Sequence, residues 1–272
     1  MKRLCLLLLL VCLFSGCSDI TQTIQDELMQ VPDPKELPSI EEADKITDAV
    51  EQARIGDAHY TQVKRGLTRF REGAIQWHTK AADQGHIPSL EFLGKLYEGY
   101  PDNLTLAVDW HTKAARQGSI PAQLSLGKIY SRGGKGLLKD MEKSKKWYAE
   151  AAGQFLQKAS QGDVDAQFTT AQNYKQGKGV EANKKEAIKW FLEAAMNGHP
   201  KAQFETSQAY LLGRGTEKDM VKSCAWLEVA RYFGFNFATT HRSSSLTEAQ
   251  KAEVQSLSKE LVGKIQTQKK TQ

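Results

Sequence analysis

The chain has 272 residues, with a hydrophobic fraction of 40% and an aromatic fraction of 8%, which together allow a packed core. Its net charge is +5, and +3 when Lys2 and Arg3 are discounted with the basic start of the chain. This balance is too mild to indicate a nucleic-acid partner, so that class of function is excluded.

The first 17 residues have the pattern of an export signal. A basic start precedes an apolar run over 4–14, which is shorter than the ~20 residues that span a bilayer. The following Ser-Gly-Cys17 resembles a bacterial lipobox, in which the cysteine becomes an acylated N-terminus. This resemblance implies a lipoprotein signal peptide over 1–16 and a lipid anchor at Cys17, with an ordinary cleaved signal as the alternative. Ser18 resembles the outer-membrane sorting pattern, which implies an anchor facing the periplasm.

Two short segments precede the main body of the chain. Residues 17–38 are polar and contain three prolines, which predicts an extended, lipidated tether. Ser39 and Glu42 then have the spacing of a capping box, and apolar residues follow at helical intervals. We therefore expect an N-terminal capping helix over 39–57 that ends at Gly56.

Residues 58–234 repeat one plan of a helix, a turn and a second helix. The segment 166–198 reads AQFTTAQNYKQGKGVEANKKEAIKWFLEAAMNG, and 202–234 has the same pattern. Two earlier copies begin near 89 and 122, and a degenerate copy over 58–85 lacks the Gly-x-Gly turn. Repeats of this length predict an all-α solenoid whose units stack to share a core.

Two departures from the repeat predict further helices. Seven additional residues, 153–159, amount to about two helical turns and predict an extended helix. After the last repeat, a capping-box pattern from Ser245 to Glu248 opens an apolar stripe. We therefore expect a C-terminal capping helix and tail within 235–272.

Recurring residue types predict how each repeat packs. The five tryptophans, one in each second helix, are interpreted as core fillers, and one glycine is expected to end each first helix in a left-handed conformation. Thr170 and Thr206 replace leucines and indicate either bonds to helix carbonyls or looser packing. The tryptophans are Trp77, Trp110, Trp147, Trp190 and Trp226, and the glycines are Gly99, Gly133, Gly177 and Gly213.

The pattern Ala-x₃-Leu-Gly-x₂-Tyr-x₂-Gly, followed by Ala-x₂-Trp-x₃-Ala-Ala-x₂-Gly, resembles the Sel1-like repeat, a relative of the tetratricopeptide repeat. The resemblance covers 58–234. It implies a short right-handed α-solenoid that serves as a non-catalytic scaffold for a protein or peptide partner.

Other chemistry is poorly supported by the sequence. The Gly-x-Gly turns follow helices rather than strands, so we interpret them as turns and not as phosphate loops. His78 and His111 occupy equivalent places in adjacent repeats but lack the accompanying ligands of a metal site. Cys224 is predicted to be a buried small hydrophobe. We therefore expect no enzyme activity, no cofactor and no metal.

The polar face of the first helices is the candidate partner-binding surface. In solenoids of this kind the first helices usually line the concave side, and a solvated face is the equally weighted alternative. The candidate residues are Lys95, Ser125, Lys128, Arg132, Thr169, Gln172, Gln176, Glu205 and Gln208.

The resemblance leaves three functions open. Some Sel1-like lipoproteins resemble periplasmic immunity proteins that neutralise phospholipase effectors of the type VI secretion system, which is the interpretation we favour. Others resemble outer-membrane scaffolds for envelope assembly or polysaccharide export. A hydrolase is the third alternative, and it requires a nucleophile and a base that the sequence does not place together.

Overall fold

The computed structural model describes residues 37–39, 45–100, 103–235 and 246–271, with side chains through 268. These residues form helices in consecutive packed pairs, which confirms the predicted all-α repeat class. The chain divides into two compact units, Met1–Ser119 and Ile120–Gln272. The first unit contains α1 (Ala49–Lys64), a 3₁₀ turn (Thr68–Phe70), α2 (Arg71–Asp83), α3 (Ile87–Glu98) and α4 (Leu104–Arg116). The second contains α5 (Ile120–Arg132), α6 (Met141–Ser160), α7 (Val164–Gln176), α8 (Lys184–Met196), α9 (Pro200–Leu212), α10 (Met220–Tyr232) and α11 (Glu248–Thr271).

A small residue of the first helix meets a ring of the second helix inside several pairs. A Cβ built on Gly94 of α3 would lie 2.6 Å from the His111 ring of α4. A Cβ on Gly127 of α5 would lie 2.7 Å from the Tyr148 ring of α6. Glycine is required at these places because any side chain would push the two helices apart.

The N-terminal helix differs from the one predicted over 39–57. Helix α1 spans Ala49–Lys64, and Asp48 caps it by accepting a 2.7 Å bond from the N–H of Glu51. Gly56 lies inside this helix, where a Cβ would meet the His78 ring at 2.7 Å, so it packs the helix pair rather than ending the helix. The predicted capping helix is therefore the first helix of the first repeat.

Left-handed glycines end three of the four predicted first helices. Gly133, Gly177 and Gly213 have φ of +66°, +70° and +66°. The prediction is wrong for Gly99, whose φ is −72°. The N–H groups of Gly99 and Tyr100 instead bond the carbonyls of Leu96 and Tyr97, which tightens the last turn into a 3₁₀ form.

The second glycine of each Gly-x-Gly turn presses on the preceding repeat. Gly179 has a φ of +76°, and a Cβ there would overlap the backbone carbonyl of Tyr148 on α6. Gly215 has a φ of +77°, and a Cβ there would overlap the backbone carbonyl of Lys184 on α8. These turns therefore link consecutive repeats of the second unit as well as connecting the two helices of one repeat.

The two additional helical features are present. Helix α6 has 20 residues, against 13 in its neighbours α5 and α7, which confirms the predicted extension. In α11 the cap differs from the prediction, because Thr247 and Gln250 exchange the two capping bonds at 3.0 and 3.2 Å. Ser245, the predicted cap, lies outside the described residues.

The tryptophans are core residues in only part of the repeats. Trp77 and Trp226 are 0% and 4% exposed, and Trp190 is partly exposed but packs against the same core cluster as Trp226. Trp110 and Trp147 are also partly exposed and belong to none of the core clusters described, so the prediction is wrong for these two. Trp226 is buried because α11 packs against α10 and brings apolar side chains, such as Ile265, into the same cluster.

Thr170 and Thr206 are fully interior, but their hydroxyls do not make the expected bond to a helix carbonyl. They are 2% and 0% exposed, and neither Oγ1 has a hydrogen-bond partner among the residues that the structure describes. Each is thus a buried polar group whose desolvation is not compensated.

Within the described ranges, no helix has the length and apolarity needed to cross a membrane.

Candidate functional site

The predicted partner-binding residues are divided between the two units. Lys95 is exposed on α3 of the first unit, and the remaining eight lie in the second unit. On α5, Lys128 and Arg132 are exposed and Ser125 is half-buried, and none of the three lines a cavity described in this unit.

The positions on α7 mostly bond within their own helix. The hydroxyl of Thr169 donates to the carbonyl of Asp165 at 2.8 Å. The side-chain amide of Gln176 donates to that of Gln172 at 3.2 Å. Gln176 also lines an open cavity beside Tyr148, at the first Gly-x-Gly turn.

Glu205 and Gln208 on α9 are the predicted residues that the structure places in a distinct groove. We call it the 175–214 groove, and its volume is about 280 Å³. Its floor is apolar, and each floor side chain is less than one-tenth exposed. The floor consists of Ala187, Ile188, Phe191 and Ala209, and the rim of Lys175, Lys184, Glu205, Gln208 and Arg214.

The rim carries an excess of positive charge. Lys175 Nζ lies 2.7 Å from Glu205 Oε2, and this ion pair connects α7 to α9. Lys184 and Arg214 have no carboxylate within 4.0 Å among the described residues. Within the described part of the chain, the groove therefore presents two uncompensated cations above an apolar floor, a combination that suits an anionic, partly apolar ligand.

The second Gly-x-Gly turn places both cations at the rim of one groove. Asn183 caps α8 through bonds to the N–H groups of Lys185 and Glu186, which makes Lys184 the first residue of that helix. Gly215 packs directly against the Lys184 carbonyl, and the residue before it, Arg214, therefore lies at the same rim.

Sequence reasoning missed Lys175, Lys184 and Arg214, although one signal was available. The central residue of both Gly-x-Gly turns is basic, being Lys178 in the first and Arg214 in the second. Lys178 Nζ lies 4.5 Å from the centre of the Tyr148 ring. Each turn thus places a cation beside the second helix of the preceding repeat.

One cluster in the first unit has the residue types of a catalytic triad. Ser89 Oγ lies 3.1 Å from Nδ1 of His78 and 2.9 Å from Nδ1 of His86, and His78 Nε2 lies 3.5 Å from Asp57 Oδ1. Ser89 is 0% exposed and His78 is 2% exposed, so the hydroxyl and the ring that would act as nucleophile and base are both enclosed. Burial lowers the pKa of His78 to about 4, which keeps the ring neutral. These residues join helices α1, α2 and α3.

His78 and His111 do not converge on one ligand position. His111 Nε2 instead lies 2.7 Å from Glu98 Oε1, at the end of α3.

Cys224 is buried with Val221 and Ala225, and burial raises the pKa of its thiol, which confirms the prediction of a small core hydrophobe. Cys17, the predicted lipid anchor, lies outside the described residues.

Comparisons with known proteins agree on one family. The model of the Sel1 repeat matches five times, over 52–86, 88–119, 120–154, 164–199 and 200–231, which is more than half of the chain. The first match includes Gly56 and begins before residue 58, the predicted start of the repeats.

Solved structures of Sel1 repeat proteins are also similar. A Sel1 repeat protein from Oxalobacter formigenes is 24% identical, with a TM-score of 0.50 over 80% of this chain and 89% of that one. A protective antigen with an SLR fold from uropathogenic Escherichia coli is 25% identical, with a TM-score of 0.48 over 83% of this chain. This chain spans only about half of that antigen, 55%. A putative Sel1 repeat protein from Klebsiella pneumoniae is 21% identical, with a TM-score of 0.37 and coverages of 79% and 95%. A search of curated proteins gives no match.

Proposed function

This chain belongs to the Sel1 repeat family, and we propose that it is a protein-binding module that holds its partner at the 175–214 groove. Repeats of this family generally mediate protein–protein interaction. The observation that carries the proposal is the groove itself, in which consecutive helices place an apolar floor beneath the cations Lys184 and Arg214. Interfaces are typically anchored by apolar side chains in such pockets, with a polar rim around them.

We further propose that the module is attached to the bacterial outer membrane through acylated Cys17 and faces the periplasm. Several acyl chains give a stable anchor, since each buried CH₂ adds ~0.8 kcal/mol. The proposed partner is a secreted lipase or toxin of the type VI system, which this protein neutralises as its immunity protein. The support for the anchor and for the immunity role is the resemblance of the N-terminus and of the repeats to such lipoproteins.

Site-specific photocrosslinking in the native envelope tests both the binding of a partner at the groove and the identity of that partner. A photoreactive amino acid replaces Gln208 in the groove, and the matched control carries it at Lys201, an exposed residue of the same helix. We expect one protein to be captured from Gln208 and not from Lys201. We also expect a Cys17→Ser variant to leave the membrane fraction.

The identity of the captured protein decides the finer function. A single secreted lipase or toxin, followed by self-killing when this protein is deleted, supports immunity. Capture of several export or envelope-assembly components overturns immunity in favour of a scaffold. Equal capture from Gln208 and Lys201, or capture from neither, overturns binding at the groove.

A further inference from the structure

The geometry points to a specific partner chemistry, and we infer that the 175–214 groove selects an acidic segment with an apolar side chain beside its carboxylates. The apolar side chain contacts Ile188 and Phe191, and the carboxylates bind Lys184 and Arg214. This inference rests on the proposed function, because it describes the part of the protein partner that enters the groove.

Charge complementarity carries the first step of the inference. The Lys175 ammonium is already bound by Glu205 at 2.7 Å, so this pair forms a neutral wall. Lys184 and Arg214 remain without a carboxylate among the residues that the structure describes. An arginine fork binds a carboxylate through two parallel hydrogen bonds, and a lysine beside it accommodates a second negative charge.

The anion site is made by side chains and not by the start of α8. Asn183 Oδ1 already accepts the N–H groups of Lys185 and Glu186, at 3.0 and 3.2 Å. The ligand therefore meets the exposed Lys184 and Arg214 side chains, which bind a carboxylate without needing a phosphate-sized cradle of backbone amides.

The floor distinguishes an acidic peptide from a small inorganic anion. The Ile188 and Phe191 side chains are 6% and 3% exposed, and they close the bottom of a space of about 280 Å³. That volume is at the small end of ligand pockets, which are roughly 300–1,000 Å³. It suits one large apolar side chain of a peptide, whereas an inorganic anion would leave the floor uncovered.

Gln208 supplies the remaining contact that an extended segment needs. It is half-buried at the rim, and its side-chain amide has no hydrogen-bond partner among the described residues. The amide provides both a donor and an acceptor, which match the N–H and C=O groups of one peptide unit.

Peptide binding to the full chain tests the inference. The probes are fluorescent ten-residue peptides in a Gly-Ser background that centre on Asp-Leu-Glu, Asn-Leu-Gln or Asp-Ala-Glu. We expect the first peptide to bind best and the loss of its leucine to weaken binding about tenfold. We expect added salt to weaken the first peptide but to leave the neutral peptide nearly unchanged.

Protein variants assign the binding to the two cations. Lys184→Gln and Arg214→Gln should each weaken the acidic peptide about two- to fivefold, as expected for partly solvated ion pairs. Lys185→Gln and Arg116→Gln are the matched controls, since they remove the same charge from exposed positions outside the groove. Circular dichroism verifies that all four variants remain folded.

Three outcomes overturn the inference. They are binding of none of the peptides, equal binding of the acidic and neutral peptides, and equal losses in the groove variants and their controls. Each of these leaves the proposed function intact if photocrosslinking from Gln208 still captures one protein. Failure of that capture rejects the proposed function itself.

Discussion

Gly179 provides the sharpest test of how consecutive repeats are joined. In Gly179→Ala, the new Cβ would lie closer than 3.0 Å to the carbonyl oxygen of Tyr148, where ordinary contacts between heavy atoms are about 3.5–4.0 Å. The turn must therefore withdraw from α6, and such overpacking costs about 1–3 kcal/mol. A left-handed φ of +76° adds about 1–2 kcal/mol for alanine. We expect the free energy of unfolding to fall by about 2–5 kcal/mol.

Two other glycines of the same unit separate these contributions. Gly162 has a φ of +94° with no heavy atom near its Cβ position, so Gly162→Ala should show the backbone strain alone, about 1–2 kcal/mol. Gly153 lies within α6 and also faces open space, so Gly153→Ala should raise stability by about 1 kcal/mol through helix propensity.

Denaturant unfolding followed by far-ultraviolet circular dichroism measures all three variants. Midpoints are comparable if the slopes with denaturant agree, because the slope reports the surface exposed on unfolding. The expected order of stability is Gly153→Ala, wild type, Gly162→Ala and then Gly179→Ala. If Gly179→Ala is no less stable than Gly162→Ala, the contact with the Tyr148 carbonyl does not hold the turn, and the packing argument fails.

Three further predictions concern buried groups. Thr206→Val should raise stability by up to about 1 kcal/mol in denaturant unfolding, because it removes an unpaired buried hydroxyl, whereas Thr169→Val loses a made bond and should bring no gain. Gly94→Ala should lower the midpoint of thermal unfolding by several degrees, because its Cβ meets the buried His111 ring, and an unchanged midpoint would contradict the packing described. The pKa of His78 is about 4 in the folded state, against 6.5 in the unfolded chain, so as pH falls from 6.5 to about 4 only the unfolded chain takes up a proton. The free energy of unfolding should therefore fall by about 3 kcal/mol over this range. In His78→Gln, the dependence of the free energy of unfolding on pH should be weaker, as measured by denaturant unfolding at a series of pH values.

The repeat periodicity was sufficient to predict the fold class, because helical spacing and recurring small residues report packing directly. The periodicity predicts a first repeat that begins at residue 58, which is wrong because the first helix of that repeat already begins at Ala49. The equivalent small residue is Gly56, and the place of the recurring tyrosine is occupied by His59. A glycine in an amphipathic run was interpreted as a helix end, although here it allows a ring to approach.

The candidate site was only partly predictable for a different reason. Counting along one helix correctly grouped Glu205 and Gln208, because residues three apart share a face. It had no means of adding Lys184 and Arg214, which come from the start of a second helix and from a turn. The extent to which each tryptophan is buried was unpredictable for a similar reason. Whether Trp190 or Trp226 is fully buried depends on which helix packs over it, and that is a tertiary property.

The turn over 213–215 contributes both to the packing between consecutive repeats and to the rim of the groove. Gly213 and Gly215 supply the two positive φ values of the turn, and Gly215 must stay bare because it presses on the Lys184 carbonyl. Arg214, between them, has an exposed side chain that lines the groove. The turn can therefore change its central residue without changing the stacking of helices, and Lys178 occupies the corresponding place one repeat earlier. The central residue of this turn thus supplies one of the cations of the groove, whereas the glycines on either side are required by the backbone conformation and the packing.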